Sequence, residues 1–246
     1  TDLEPRPVTM KLIERLMLKD FTRQEKYFLW MLIFFNFFSA LYQISVTKEL
    51  SASVFAFRAR LHLVFGFATV FYGLGMLAAY KRWNGRLAGG ELGVLGVFIS
   101  LFTGASLFAI LKLRYNPAQV PYSEPLSAYL PLAGVILLIA AALVFFGAVY
   151  SALLSYFSRS RPGHIGVVVA YSQAGLVAAF ISHALFSVQL GVNGTMLLIA
   201  AASLFIALGA WRNNLKVPLA LTACAIAALR LFPVDMSVET IRSAYK

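Results

Sequence analysis

The sequence predicts an all-α membrane protein, a single polytopic bundle of seven transmembrane helices. Of its 246 residues, 60% are hydrophobic and only 13% are charged, with a mean hydropathy of +0.78. Soluble domains carry roughly 45–50% apolar and about 25% charged residues, so too few polar side chains remain here to cover a surface facing water. Charge-free stretches separate the charged residues, and the longest lies between Arg161 and Arg212. These observations exclude a soluble fold, a disordered chain and, with one cysteine, a disulfide scaffold.

Seven apolar segments have the length of roughly 17–25 residues or more that a helix needs to cross a bilayer. They run continuously, without the two-residue alternation of a barrel strand. Because lipid offers no partner to a bare peptide group, each segment is predicted to be a helix. The Asn193-Gly194 pair is predicted to form the turn between the fifth and sixth segments. The segments cover residues 27–46, 61–80, 92–113, 127–157, 164–190, 195–211 and 216–232.

Residues 1–26 are predicted to form an amphipathic helix in the membrane interface, ahead of a single transmembrane domain over residues 27–246. This helix would serve as an interfacial anchor or as a docking surface for a partner subunit. Thr22 and Glu25 have the spacing of a capping box, so the first spanning helix is expected to begin there. The apolar face holds Thr9, Leu12, Ile13, Leu16 and Met17, and the polar face holds Lys11, Glu14, Arg15 and Lys19.

The distribution of Lys and Arg predicts that the N-terminus lies inside. Thirteen of the 21 Lys and Arg residues fall on the side of the N-terminus and eight on the other, as the positive-inside rule requires. This topology suits a multi-pass protein of a bacterial inner (plasma) membrane. The formal net charge of +11 is then explained by residues that set the topology and attract anionic lipid headgroups. Nucleic acid is not an expected partner, because the basic residues lie at helix ends and form no contiguous block.

Ionisable residues inside a bilayer mark functional sites, because burying them is costly. No acidic residue falls within a predicted span, which argues against a carboxylate proton relay and carboxylate metal sites. His183 is the exception among ionisable residues, and its helix carries a ladder of small residues that predicts close helix packing. The ladder comprises Gly166, Ala170, Ala174, Ala178 and Ser182, and the adjacent ridge comprises Gly175, Ala179, His183 and Ser187. We therefore expect His183 to face protein.

Two ligand hypotheses and one structural alternative follow for the polar groups of the outer leaflet. The first is a quinone or lipid-headgroup pocket that uses His183, His62, Tyr42, Gln43 and Arg230. The second is a b-type haem with both histidines as axial ligands. Their predicted depths differ by about 10 Å, so one haem would require tilted or shifted helices. The structural alternative is that His183 donates a hydrogen bond to a neighbouring helix.

Two functions fit these features. The first is a non-catalytic integral subunit of a larger membrane complex of respiratory or photosynthetic type, with other membrane subunits as partners and contacts to quinone, haem, pigment or lipid. The second is a passive or weakly coupled transporter or channel for a small neutral or amphipathic solute. It requires uncharged polar residues to converge on one cavity near the midplane. Those residues are Asn36, Ser39, Tyr42, Gln43, Tyr171, Ser172 and Gln173. Because no catalytic constellation is found, an enzyme is disfavoured.

Overall fold

The computed structural model describes residues 21–53, 61–83, 89–112 and 130–212, which form five α-helices. A 3₁₀ turn, Pro162–His164, links the last two. The helices are α1 (Arg23–Ser53), α2 (Leu61–Trp83), α3 (Gly89–Lys112), α4 (Leu130–Ser160) and α5 (Ile165–Arg212). Five segments are long and apolar enough to cross a membrane: Arg23–Leu50, Gly90–Ile110, Leu132–Ser160, Pro162–Phe186 and Gln189–Ala210. The described chain is therefore all-helical and multi-pass.

The helices follow the predicted segments closely, with two parts of the prediction outside the described residues. These parts are the interfacial helix before residue 21 and the seventh segment, 216–232. α1 is longer at both ends than the predicted segment, so Glu25 and Glu49 belong to the helix, one near each end. α2 has 23 residues; it begins at the first residue of the second predicted segment and ends three residues beyond it, and it is not among the five segments named above.

The capping box at the start of α1 is confirmed. The backbone N–H of Thr22 donates to Oε2 of Glu25 at 2.7 Å, and the N–H of Glu25 donates to Oγ1 of Thr22 at 3.2 Å. Two N–H groups with no partner inside the helix are thereby satisfied. Arg161 donates to both oxygens of the same carboxylate, at 2.8 and 3.1 Å. Because Arg161 follows α4, this bidentate pair joins the first turn of α1 to the connection between α4 and α5.

α1 is the most buried of the spanning segments. It packs against α5 and α4 and touches α2 and α3. Phe35 and Tyr42 are buried against Phe146 of α4, with ring centroids 6.5 and 5.9 Å away. The Asn36 side chain donates to the backbone carbonyl of Ser172 in α5 at 2.7 Å. α1 thus contacts each of the other four described helices, α5 and α4 most extensively.

α2 and α4 cross at two glycines. A Cβ atom on Gly75 would overlap the carbonyl oxygen of Val144, and one on Gly147 would overlap that of Tyr72. Small residues at a crossing let two helix backbones approach closely, and dispersion contacts then hold them together in lipid. The two reciprocal contacts fix the register of α2 on α4. The same crossing places Tyr72 and Tyr150 beside each other, with ring centroids 6.0 Å apart.

The predicted turn at Asn193-Gly194 is wrong, because the break in α5 lies at Gly191. There φ is 68° and ψ is 170°, a backbone conformation open essentially to glycine alone. Oγ1 of Thr195 donates to the carbonyl oxygen of Gly191 at 2.8 Å and satisfies a group that the break releases. Asn193 and Gly194 continue in the helix that follows. The break divides α5 into two spanning halves, as the fifth and sixth predicted segments require.

The small-residue ladder of α5, which predicts close helix packing, does not pack against the described helices. Four members of that ladder are exposed and Ser182 is half-buried. The buried face is the adjacent ridge, which includes His183 as expected. This ridge is the buried one because Gly175 lets the backbone of Ile33 approach closely. A Cβ atom placed on Gly175 would lie only 2.6 Å from the carbonyl oxygen of Ile33. The Asn36 hydrogen bond to Ser172 fixes the same face against α1.

Replacing Gly75 or Gly147 by alanine is expected to destabilise the bundle, by about 1–3 kcal/mol for the forced separation of α2 and α4. Gly73→Ala is the matched control, because nothing lies within 4 Å of a Cβ built there. The measurement is the thermal midpoint of the detergent-purified protein. It is the temperature at which half of the size-exclusion peak is lost after heating. Equal midpoints for Gly75→Ala and Gly73→Ala would contradict the close crossing.

Candidate ligand-binding site

One cavity of about 290 Å³ lies between the helices. It is lined by residues near the midpoints of α1 and α2, by one residue in the second half of α4 and by residues in the middle of the first half of α5. We call it the central cavity. Its volume is close to the lower end of the roughly 300–1,000 Å³ of small-molecule pockets. None of its described lining residues is charged. They are Asn36, Ser39, Ala40, Gln43, Ile44, Thr69, Tyr72, Tyr150, Gln173, Leu176 and Phe180.

A polar path crosses one wall of the central cavity. Nδ2 of Asn36 donates to the carbonyl oxygen of Ser172, whose hydroxyl lies 3.5 Å from the hydroxyl of Tyr150. That second distance is too long for a strong O–H···O bond, which is usually 2.5–3.0 Å. Tyr72 faces Tyr150 from the neighbouring helix. Tyr72 and Tyr150 both line the cavity, so their hydroxyls keep hydrogen-bonding capacity for a molecule in it.

The two glutamines of the lining differ in how they are held. Nε2 of Gln43 donates to Oγ of Ser39 one turn earlier on α1, at 3.3 Å. Gln173 is exposed on α5, and no hydrogen bond to its side chain comes from the described residues. A primary amide offers two donors and one acceptor, and leaving them without partners in an apolar medium is costly. Gln173 thus presents an amide that a ligand in the central cavity can satisfy.

A second cavity of about 110 Å³ adjoins the first, enclosed by α1, α2 and α4. We call it the apolar cavity. Gln43 and Thr47 are the only amide and aliphatic hydroxyl groups among its described lining residues, and Gln43 also lines the central cavity. The Tyr42 hydroxyl is turned away into a 2.8 Å hydrogen bond with Oγ of Ser106 in α3. The remaining lining residues are Val46, Leu50, Phe67, Ala68, Phe71, Ile136, Ile139, Ala140 and Leu143.

The residues predicted for a quinone, lipid or haem site lie in different places. Gln43 borders both cavities, and fully buried Tyr42 borders the apolar one. His183 is 8% exposed on the face of α5 toward the bundle, and its Nε2 atom finds no partner among the described groups. It belongs to the lining of neither cavity. His62 lies in the first turn of α2, and Arg230 lies outside the described residues. A shared site for these five residues stays a prediction.

Thr69, Tyr72 and Tyr150 complete the central cavity, although none of them was among the residues predicted for a binding site. Each is an isolated polar residue within an apolar segment, and that pattern alone does not distinguish a cavity wall from helix packing. The useful signal was the pair of glycines near the two tyrosines, Gly75 and Gly147, which brings α2 and α4 into close contact. Within the described parts of the chain, no group of His, Cys, Asp or Glu could hold a metal ion.

The chain matches no protein-family model, no curated protein sequence and no solved structure.

Proposed function

We propose that this chain is a multi-pass membrane protein that binds a small, uncharged, hydrogen-bonding molecule in the central cavity and lets it move passively across or within the bilayer. The observation that carries this proposal is the convergence of three side-chain amides, from Asn36, Gln43 and Gln173, on one uncharged space in the middle of the helices. Convergence near the midplane is what a transporter requires and what a purely structural subunit does not.

The chemistry of the lining defines the ligand class. Amide and hydroxyl groups both donate and accept hydrogen bonds, so they suit alcohols, amides and similar neutral groups. A charged ligand would have no opposite charge among the described lining residues and would bear an uncompensated desolvation cost. The described carboxylates of the spans are Glu25 and Glu49, near the two ends of α1, and Glu91, in the first turn of α3. None of them lines the central cavity, which supports passive movement rather than proton coupling.

Solute flux into proteoliposomes tests this proposal. With glycerol or urea as the probe, stopped-flow light scattering should show faster volume recovery than in protein-free liposomes. Gln173→Leu removes the amide with no described partner. We expect it to weaken solute binding by about 1 kcal/mol, which is roughly a fivefold loss of affinity. The protein-dependent flux at low solute concentration should fall by the same factor.

Gln189→Leu is the matched control, because it removes an exposed amide of the same helix from outside both cavities. Its flux should equal that of the unaltered protein. Recovery rates that equal those of protein-free liposomes for both probes would overturn the proposal, and so would equal losses in the two variants.

The second candidate function, a subunit of a larger respiratory or photosynthetic-type complex, is favoured by one observation. The exposed ladder on α5 carries Gly166, Ala170, Ala174 and Ala178, and small residues let another helix approach closely. An apolar exposed face alone favours neither function, because lipid covers it equally well. The ladder is where a partner helix would bind.

Gentle extraction and native mass spectrometry test the subunit proposal. The protein should then co-purify with other subunits, and Ala174→Leu should release them, because the larger side chain blocks helix approach. Val177→Leu, on a neighbouring exposed position, should leave the complex intact. A protein that elutes alone would contradict this function.

For the finer topology, we propose seven spans with the N-terminus inside a bacterial inner membrane. α2 and residues 216–232 would add to the five spanning segments. Glu25 and Arg161 bind each other, so the start of α1 and the end of α4 share one face. The ends of α2 and α4 carry Lys81, Arg82 and Arg159, which favours this face as the inner one.

Cysteine labelling tests the orientation in a Cys224→Ser background. Gln189→Cys, near the break in α5, should react with a membrane-impermeant maleimide in intact cells. Ser160→Cys, at the end of α4, should react only after the membrane is permeabilised. The reverse pattern would place the N-terminus outside.

A further inference from the structure

The two cavities adjoin each other and differ in chemistry. Gln43 belongs to the lining of both. On α2 the lining residues alternate between them: Ala68 and Phe71 face the apolar cavity, and Thr69 and Tyr72 face the central one. The central cavity thus combines polar groups with a mainly apolar lining, whereas the apolar cavity has almost no polar surface.

The cavities are displaced from each other along α1. The central cavity uses residues 36–44 of this helix and the apolar cavity uses residues 42–50. Their centres on α1 are six residues apart, which corresponds to about 9 Å at 1.5 Å per residue. Together they form an elongated space with a hydrogen-bonding end near the middle of the helices and an apolar end toward the C-terminus of α1.

Both cavities have exposed residues at their margins. Phe180 and Thr69, on α5 and α2, border the central cavity and are exposed. Phe67, 58% exposed on α2, borders the apolar cavity. α2 and α5 are not among the packed helix pairs of the described bundle. The gap between these two helices is thus the side from which a molecule dissolved in the bilayer would reach the central cavity.

We propose that the ligand is a single-chain amphiphile with an uncharged hydrogen-bonding head, taken up laterally from the bilayer. Its head occupies the central cavity, beside Gln173 and Tyr150, and its chain passes Gln43 into the apolar cavity. This inference rests on the proposed function and narrows its ligand. A free polar solute would leave the apolar cavity empty, and only one of the two cavities is apolar, which suits one chain.

The geometry also predicts where selectivity arises. A chain in lipid and a chain in an apolar cavity have similar surroundings, so moving the chain between them contributes little free energy. The head leaves the hydrated membrane interface, so the amides and hydroxyls of the central cavity must replace the hydrogen bonds that it loses there. The cavity therefore selects the head, and the chain sets the orientation in which the head is held.

Photochemical labelling at two positions of one ligand tests the proposal. The probes are two isomers of a monoacylglycerol in phosphatidylcholine nanodiscs, one with a diazirine beside the glycerol head and one with a diazirine at the chain end. Phosphatidylcholine with a chain-end diazirine reports non-specific labelling. The head isomer should label the central cavity around Gln173, and the chain isomer should label Ile139 and Leu143, in excess over outward-facing Leu137.

Variants then separate the two cavities within one folded protein. Ala68→Phe narrows the apolar cavity and should remove the chain-end label from Ile139, while the persisting head label shows that the central cavity is intact. Ala140→Leu, which narrows the same cavity from α4, should do the same and provides a second variant. Ala78→Phe, at an exposed position of α2, is the control and should change neither label.

The outcomes distinguish this inference from the function on which it rests. Head labelling in the central cavity, with chain-end labelling spread evenly over lipid-facing residues, would overturn the amphiphile and leave the small-solute function standing. The same result would follow if the two narrowing variants left the chain-end pattern unchanged. Labelling no greater than that of phosphatidylcholine at both positions would also overturn the amphiphile, and the flux of glycerol and urea into proteoliposomes would then decide the small-solute function separately.

Discussion

The packing of α1 among the other helices is the interaction on which the rest of the described structure depends. Lipid solvates apolar side chains as well as protein does, so hydrophobic burial does not by itself hold membrane helices together. α1 instead uses close packing and a few polar contacts. Glu25 binds Arg161 at one end, and Asn36 binds the Ser172 carbonyl near the middle. These contacts orient α4 and α5, and the Gly75 and Gly147 crossing then places α2 on α4.

The central cavity follows from this arrangement. α5 presents the ridge of Ser172 and Gly175 to α1, which leaves Gln173 beside the gap between α5 and α2. The glycine crossing holds Tyr72 next to Tyr150 on the opposite side of that gap. An apolar medium makes unsatisfied amides and hydroxyls costly, and among the three amides of the lining that of Gln173 has no hydrogen bond from the described residues.

The sequence predicted the helices well because the bilayer imposes a length and a composition on every span. The start of α1 was also predictable, since the capping box of Thr22 and Glu25 depends on residues three positions apart. The break in α5 was misplaced by two residues. Asn193 and Gly194 form a common turn pair, yet Gly191 is the residue that takes the positive φ. Several nearby residues could accept a break, and the packing of the two halves selects one.

The sequence by itself determined that this is an apolar, all-helical, multi-pass chain with uncharged polar residues in its spans. Only the tertiary structure decided which of those residues meet. Asn36, Gln43 and Gln173 come together with Tyr72 and Tyr150, whereas His183 packs away from both cavities. The small ladder of α5 faces outward although its spacing matches that of a packing face. Helical spacing defines which residues share a face, but close approach and hydrogen bonds between helices choose the face that is buried.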